Sequence, residues 1–196
     1  MKFFSLGPDC NTARQLQNHG LRSKAGPLDW VQTLQMPLLW RPLLDGTYGI
    51  LDGLCLNARD KPTNAYRIEF THHDVINDPE AASSMERRMT RLRDDATSGD
   101  TTLVSQVSLF GDNAPNLADA QIQGIQALRE FLPPTTRTST AIRVPAAPSG
   151  IIAQAACAVA SGLTGLDLGF LVVAPAPSGF DPSGTWGFLD LLRRIA

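Results

Sequence analysis

Cysteine and histidine are both scarce, three of each in 196 residues. The odd number and wide spacing of Cys10, Cys55 and Cys157 exclude a disulfide framework and fit a reduced, cytoplasmic setting. Charge of one sign is lacking too. The formal net charge is -2 and the pI ≈ 5.9, so nothing in the charge balance favours nucleic acid or an anionic membrane as partner. Long hydrophobic runs are missing. The most apolar tract, residues 151–173, is interrupted by Gln154, Ser161, Thr164, Asp167 and three glycines. It reads as a buried helix followed by a strand, not a membrane span. The opening "FFSLG" is too short for the apolar part of a signal peptide. No phosphate loop, dinucleotide fingerprint or GxSxG elbow is present. There is no internal repeat and no dividing linker, so residues 1–196 are expected to form a single domain, long enough to bury a core without staples.

What is present is a rhythm. "KFFSL" is a short apolar run expected to be a buried strand, broken by Gly7-Pro8. Asp9 is placed to cap a helix through "NTARQLQNH" that stops at Gly20. Residues 26–46 mix apolar residues with internal prolines, which predicts short, broken helices. "AYRIEFTHHDV" alternates apolar and polar residues and predicts a half-buried strand. Asp78 and Pro79 open an exposed helix. From residue 101 strand and helix alternate: "TTLVSQVSLF", a helix capped by Asn116, "TSTAIRV", the helix "SGIIAQAACAVASG", "LDLGFLVVAP", and a closing helix in "TWGFLDLLRRI". Such alternation predicts βαβ units on a largely parallel sheet, an α/β fold.

Among the thiols, Cys10 has a distinctive setting. A strand-turn-helix places it at the carboxyl end of a strand, where open α/β sheets bind ligands. A helix N-terminus there favours a thiolate. Cys157, in "AACAVA", is expected on an apolar helix face, in the core. A cysteine nucleophile usually needs a base, and His19 lies too far along the same helix to meet Cys10. That leaves His72 and His73. Strand period makes His72 the core-facing one, though strand ends often bulge and shift the phase. Asp29, in "PLDW", and Asp74 are the candidate orienters of the base. The "HHD" triplet is poor metal-ligand geometry on one strand, so no metal and no cofactor is expected.

The residues Ser5-Leu6-Gly7, Cys10, Ala13, Leu16, Gly20-Leu21-Arg22 and Pro27-Leu28-Asp29-Trp30 form a pattern. It continues in Phe70 with His73-Asp74, Arg87-Arg88, Arg91 and the "TLVSQVSLF" strand. This pattern resembles a bacterial family of unknown function labelled papain-like cysteine peptidases. Leu28 stands where the family usually has Phe, and the Ala- and Pro-rich C-terminal half departs further. The resemblance implies Cys10 as nucleophile and His73 as base, with Asp29 or Asp74 as orienter. A papain-like α+β fold would follow from the label. The strand leading straight into the cysteine turn, and the β/α alternation, instead look like the three-layer sandwich of SGNH hydrolases. The expected chemistry is acyl transfer or hydrolysis of an amide, ester or thioester through an acyl-cysteine. Backbone N–H groups of residues 10 and 11 are expected to hold the oxyanion. Gly7, Asp9, Asn11, Trp30 and His72 stand around them as candidate substrate-binding or oxyanion residues. The expected partner is a small-molecule, peptide or acyl-thioester substrate. The alternative is a non-catalytic binding module that keeps the family fold.

Overall fold

Four parallel strands carry the chain. The computed structural model describes residues 2–8, 10–22, 24–33, 35–145 and 148–163, together with the backbone of 167–173. Its elements are β1 (Lys2–Ser5), α1 (Cys10–Asn18), α2 (Met36–Leu44), β2 (Cys55–Leu56), β3 (Pro62–Thr63), α3 (Pro79–Ser98), β4 (Thr101–Ser108), α4 (Ala114–Phe131), β5 (Arg137–Pro145), α5 (Gly150–Gly162) and β6 (Asp167–Val173). The main sheet has the order β1-β4-β5-β6 and every neighbour pair is parallel. The carboxyl ends of all four strands therefore share one edge. β2 and β3 form a small separate antiparallel pair. This is a mixed α/β fold, and its parallel sheet departs from the antiparallel sheet of a papain-like plan. No helix among the described residues is long and apolar enough to cross a membrane.

Strands β1, β4 and β5 are buried on both faces, which is why they read as near-continuous apolar or small-residue runs. Side chains alternate across the sheet. Phe4, Leu6, Leu103, Val107 and Ile142 enter the main core with residues of α2, α3, α4 and α5. Phe3, Val104 and Ala141 enter a smaller cluster with Leu16 of α1, against which Leu21 packs. Helix α1 thus covers the face opposite the main core.

Two glycines matter here, one for its backbone conformation and one for a close approach. Gly7 has φ 72, a conformation that favours glycine, and a Cβ there would meet the Met36 side chain at 3.4 Å and the Leu28 carbonyl at 3.5 Å. Gly124 lets α4 press on α2, since a Cβ there would stand 2.4 Å from the Pro37 carbonyl oxygen. Gly124→Ala is therefore expected to destabilise the fold by about 1–3 kcal/mol through overpacking, despite alanine's better helix propensity. Chemical denaturation checks the sign.

Three expectations fail. Residues 66–73 do not form the alternating strand. Asn64 accepts the Tyr66 and Ile68 N–H groups through its side chain, both at 3.0 Å, and Arg67 takes a left-handed φ of 61. Those amides are spent on a turn, and what remains of strand pairing is two isolated antiparallel bridges, Gln32 with Glu69 and Thr63 with Glu69. His72 is accordingly exposed, not core-facing, and His73 is half-buried. Cys157 is also exposed, because α5 turns Ile152, Ala155, Ala156 and Val159 inward instead. In smaller departures, α2 continues through Pro42, and α4 begins at Ala114, ahead of Asn116. Asp9 and the expected closing helix lie outside the described residues.

Candidate active site

The turn that delivers Cys10 is held from beneath. Fully buried Trp40 donates from its indole nitrogen to the Leu6 carbonyl at 2.7 Å. The Gly7 N–H donates to Ser5 Oγ at 3.2 Å, so this candidate oxyanion donor has an internal partner. The Gly7–Pro8 bond is cis. The chain then enters α1 with Cys10 as its first residue, half-buried at the carboxyl edge of the sheet.

Arg14 Nη2 reaches Cys10 Sγ at 3.4 Å. The i,i+4 spacing puts both on one side of α1. The sulfur thus faces a guanidinium and the N-terminus of its own helix. The next residue, Asn11, donates from Nδ2 to Gln106 Oε1 of β4 at 2.6 Å, and Gln106 donates onward to Ser108 Oγ at 3.1 Å. The thiol is thus tied to the neighbouring strand through its own helix.

Asp29 is 1% exposed and binds elsewhere. Its Oδ2 accepts from Arg22 Nε at 2.8 Å and from the Gly26 N–H at 2.6 Å, with Arg22 Nη2 also 2.6 Å away. Burial pushes the Asp29 carboxyl up, against the pull of Arg22 and the Gly26 N–H. The Arg22 guanidinium lies 5.8 Å from the Trp30 ring, and Trp30 meets exposed His72 edge-on at 5.6 Å. Thr71 Oγ1 donates to the Trp30 carbonyl at 3.1 Å. These contacts hold the 22–30 and 70–73 segments together. Helix α3 adds Arg91, which donates to the Ala25 carbonyl. It also adds Arg88, whose charge acts on both Asp29 and His73.

His73 is held below the usual histidine value, first by burial, then by Arg88 and His72, which favours the neutral imidazole a base requires. Among the described residues no hydrogen bond joins it to Cys10, Asp29 or Asp74. Asp74 instead accepts from the Asn77 N–H and side chain and lies below the usual carboxylate range for that reason. The lowered His73 value has a stability consequence. Between the folded value and 6.5 the unfolded chain binds more protons, so stability falls as pH drops through that window and is level above it. His73→Gln is expected to flatten this slope, measured by denaturation at pH 5 to 8.

Sequence reading missed Arg14, Gln106 and Trp40. The i,i+4 spacing carried the signal for Arg14. Gln106 and Trp40 meet the cysteine turn only through sheet pairing and packing, which leave no local mark.

Residues 1–43 match the model of a family described as "Putative papain-like cysteine peptidase". No curated protein and no solved structure matches the chain. The matched segment runs from β1 to within α2 and contains Cys10, Arg14, Asp29 and Trp30. His72, His73 and Asp74 lie beyond it.

Proposed function

We propose that the protein is a cysteine-nucleophile enzyme that transfers or hydrolyses acyl groups through Cys10. The observation that carries this reading is the placement of Cys10 Sγ: first residue of a helix, at the carboxyl edge of a parallel sheet, with a guanidinium at 3.4 Å. The thiolate attacks the carbonyl carbon of an amide, ester or thioester, forming a C–S bond and an oxyanion. The backbone N–H groups of residues 10 and 11 hold that oxyanion. Collapse breaks the bond to the leaving nitrogen, oxygen or sulfur, and His73 relays the proton. Attack by water or an acyl acceptor then breaks the C–S bond and restores the thiol. Asn11, anchored on Gln106, steadies the helix start. Trp30 and His72 flank the His73 segment.

Helices on both faces of a parallel sheet support a three-layer, SGNH-hydrolase-like sandwich formed by residues 1–196 as one domain. The three free thiols fit the cytoplasmic setting. A second reading, a non-catalytic binding module, is favoured by the lack of any described contact between His73 and Cys10.

Intact-mass and peptide-mass measurement after exposure to p-nitrophenyl acetate or a short acyl thioester separates the two. The enzyme reading expects an acyl adduct on Cys10 that is then lost to water or an added acceptor, and that forms more slowly in His73→Ala. A binding module gives no adduct at Cys10.

A further inference from the structure

A cavity of about 680 Å³ opens beside the cysteine turn. Pro8, two residues before Cys10, lines it, and so does Gln106, the partner of Asn11. Its volume lies in the range of small-molecule sites, too small for a folded partner. Three features of its lining specify chemistry.

The first is Gln121, fully buried on α4 and lining the cavity. Its Nε2 donates to Ser105 Oγ at 2.8 Å and Thr140 Oγ1 at 3.2 Å. Ser105 and Thr140 are also hydrogen-bonded to each other, and Ser105 reaches the Ser139 carbonyl. With the Thr140 proton directed to Ser105 and the Ser105 proton to the Ser139 carbonyl, both oxygens accept from Gln121 Nε2. Its Oε1 is then left without a partner. A buried acceptor of that kind calls for an N–H or O–H donor.

The second is charge. Glu69 is already held by Asn57 Nδ2 at 2.8 Å and by Arg59. Arg67 also lines the cavity, and no hydrogen bond or ion pair of its guanidinium is found among the described residues. Asn64 fixes the turn that presents it: buried, it takes the Tyr66 and Ile68 N–H groups and donates to the Ile50 carbonyl at 2.9 Å. The third is shape, since Pro8, Pro37, Val107 and Leu117 give apolar wall between these polar points.

We propose that this cavity binds a linear, amide-bearing small molecule that ends in an anion. The anion pairs with Arg67 at the rim, and an amide N–H or hydroxyl donates to Gln121 Oε1 once that side chain, closed off at the floor here, turns into the cavity. Both a phosphate-terminated pantetheine arm and a short peptide with a free carboxylate have this chemistry. That the ligand is the acyl carrier or leaving group of the Cys10 reaction rests on the function proposed above. Binding itself does not.

Isothermal titration calorimetry with 4′-phosphopantetheine, N-acetyl-triglycine and N-acetyl-triglycine amide tests it without any chemistry at Cys10. Binding is expected for at least one anion-terminated probe, with the amidated peptide at least about 10-fold weaker than the acid if the carboxylate is the anion recognised. Preference between the two acids identifies the source. Arg67→Ala is expected to weaken binding at least about 10-fold and Arg67→Lys to restore part of it, a loss of the size expected for a charged hydrogen-bonded contact. Gln121→Met should also weaken it. If that variant does not fold, the Arg67 pair decides alone. The proposal is overturned if neither acid binds, or if Arg67→Ala binds as tightly as the unaltered protein. A protein that binds the probe yet forms no acyl-cysteine keeps the site and loses the enzyme reading. The reverse result keeps the enzyme and loses this ligand.

Discussion

Cys10→Ala is expected to lower acyl turnover by at least about 1,000-fold, because removing a nucleophile removes the covalent route altogether. The same change is expected to leave stability almost intact. Cys10 is half-buried and its described side-chain hydrogen bond, to Arg14, is long at 3.4 Å. Loss of such a contact costs about 1 kcal/mol or less, a Tm shift of about 4 °C at most in a chain of this length. Cys10→Ser keeps a polar atom near Arg14 and should match the original Tm while remaining nearly inactive. The pairing of the two readouts decides the role of the residue. A Cys10→Ala protein with its melting point far reduced would mark a packing residue. Unchanged turnover would place the reaction elsewhere.

Asp29→Ala is expected to have the opposite profile. The carboxylate is buried against Arg22 and the Gly26 N–H, and the Arg22 side chain is itself only 13% exposed. Removing the acid alone strands a largely buried guanidinium and an amide, at a cost of about 3 kcal/mol or more. That corresponds to a Tm lower by about 6–12 °C. The pair itself is no large net gain, since burial outweighs Arg22 in raising the Asp29 carboxyl. Between 3.8 and the raised folded value the folded state binds more protons than the unfolded one, so this group makes stability rise as pH falls there. Two results follow. The double replacement Arg22→Met/Asp29→Leu should be less destabilising than Asp29→Ala. Activity per folded molecule should change little, because the described contacts of Asp29 are with Arg22 and Gly26, not His73. A fall in kcat at unchanged Tm would instead assign Asp29 to orienting the base.

How much of this was legible in the sequence depends on whether the cause was local. The strands from residue 101 onward and the helix opened by Asp78-Pro79 follow from period, caps and breakers within a few residues. Asp78 accepts the Glu80 N–H at 2.9 Å, as its position implies. Cys10 at a helix start was legible for the same reason. The segment at 66–73 was not. Its alternation is that of a strand, but Asn64, several residues earlier, takes two of its amides through a side chain. Cys157 sits in an apolar stretch, and which side of that helix faces inward depends on α4 beneath it. The Asp29–Arg22 pair spans seven residues of loop, where spacing says little about contact. The cavity is hardest to foresee, since Pro8, Arg67, Gln106 and Gln121 come from four separate parts of the chain.

The proposed activation of the Cys10 thiol is measurable against the two other free cysteines. Cys55 and Cys157 are exposed, whereas Cys10 is half-buried. Native-state iodoacetamide labelling near neutral pH, resolved by peptide mass spectrometry, compares all three in one sample. Accessibility alone would make Cys10 the slowest. Activation by the α1 N-terminus and Arg14 predicts that it labels fastest, and that Arg14→Met slows it while leaving the other two unchanged. Cys10 labelling more slowly than both, or only after denaturation, would contradict that activation and leave the molecule without its nucleophile.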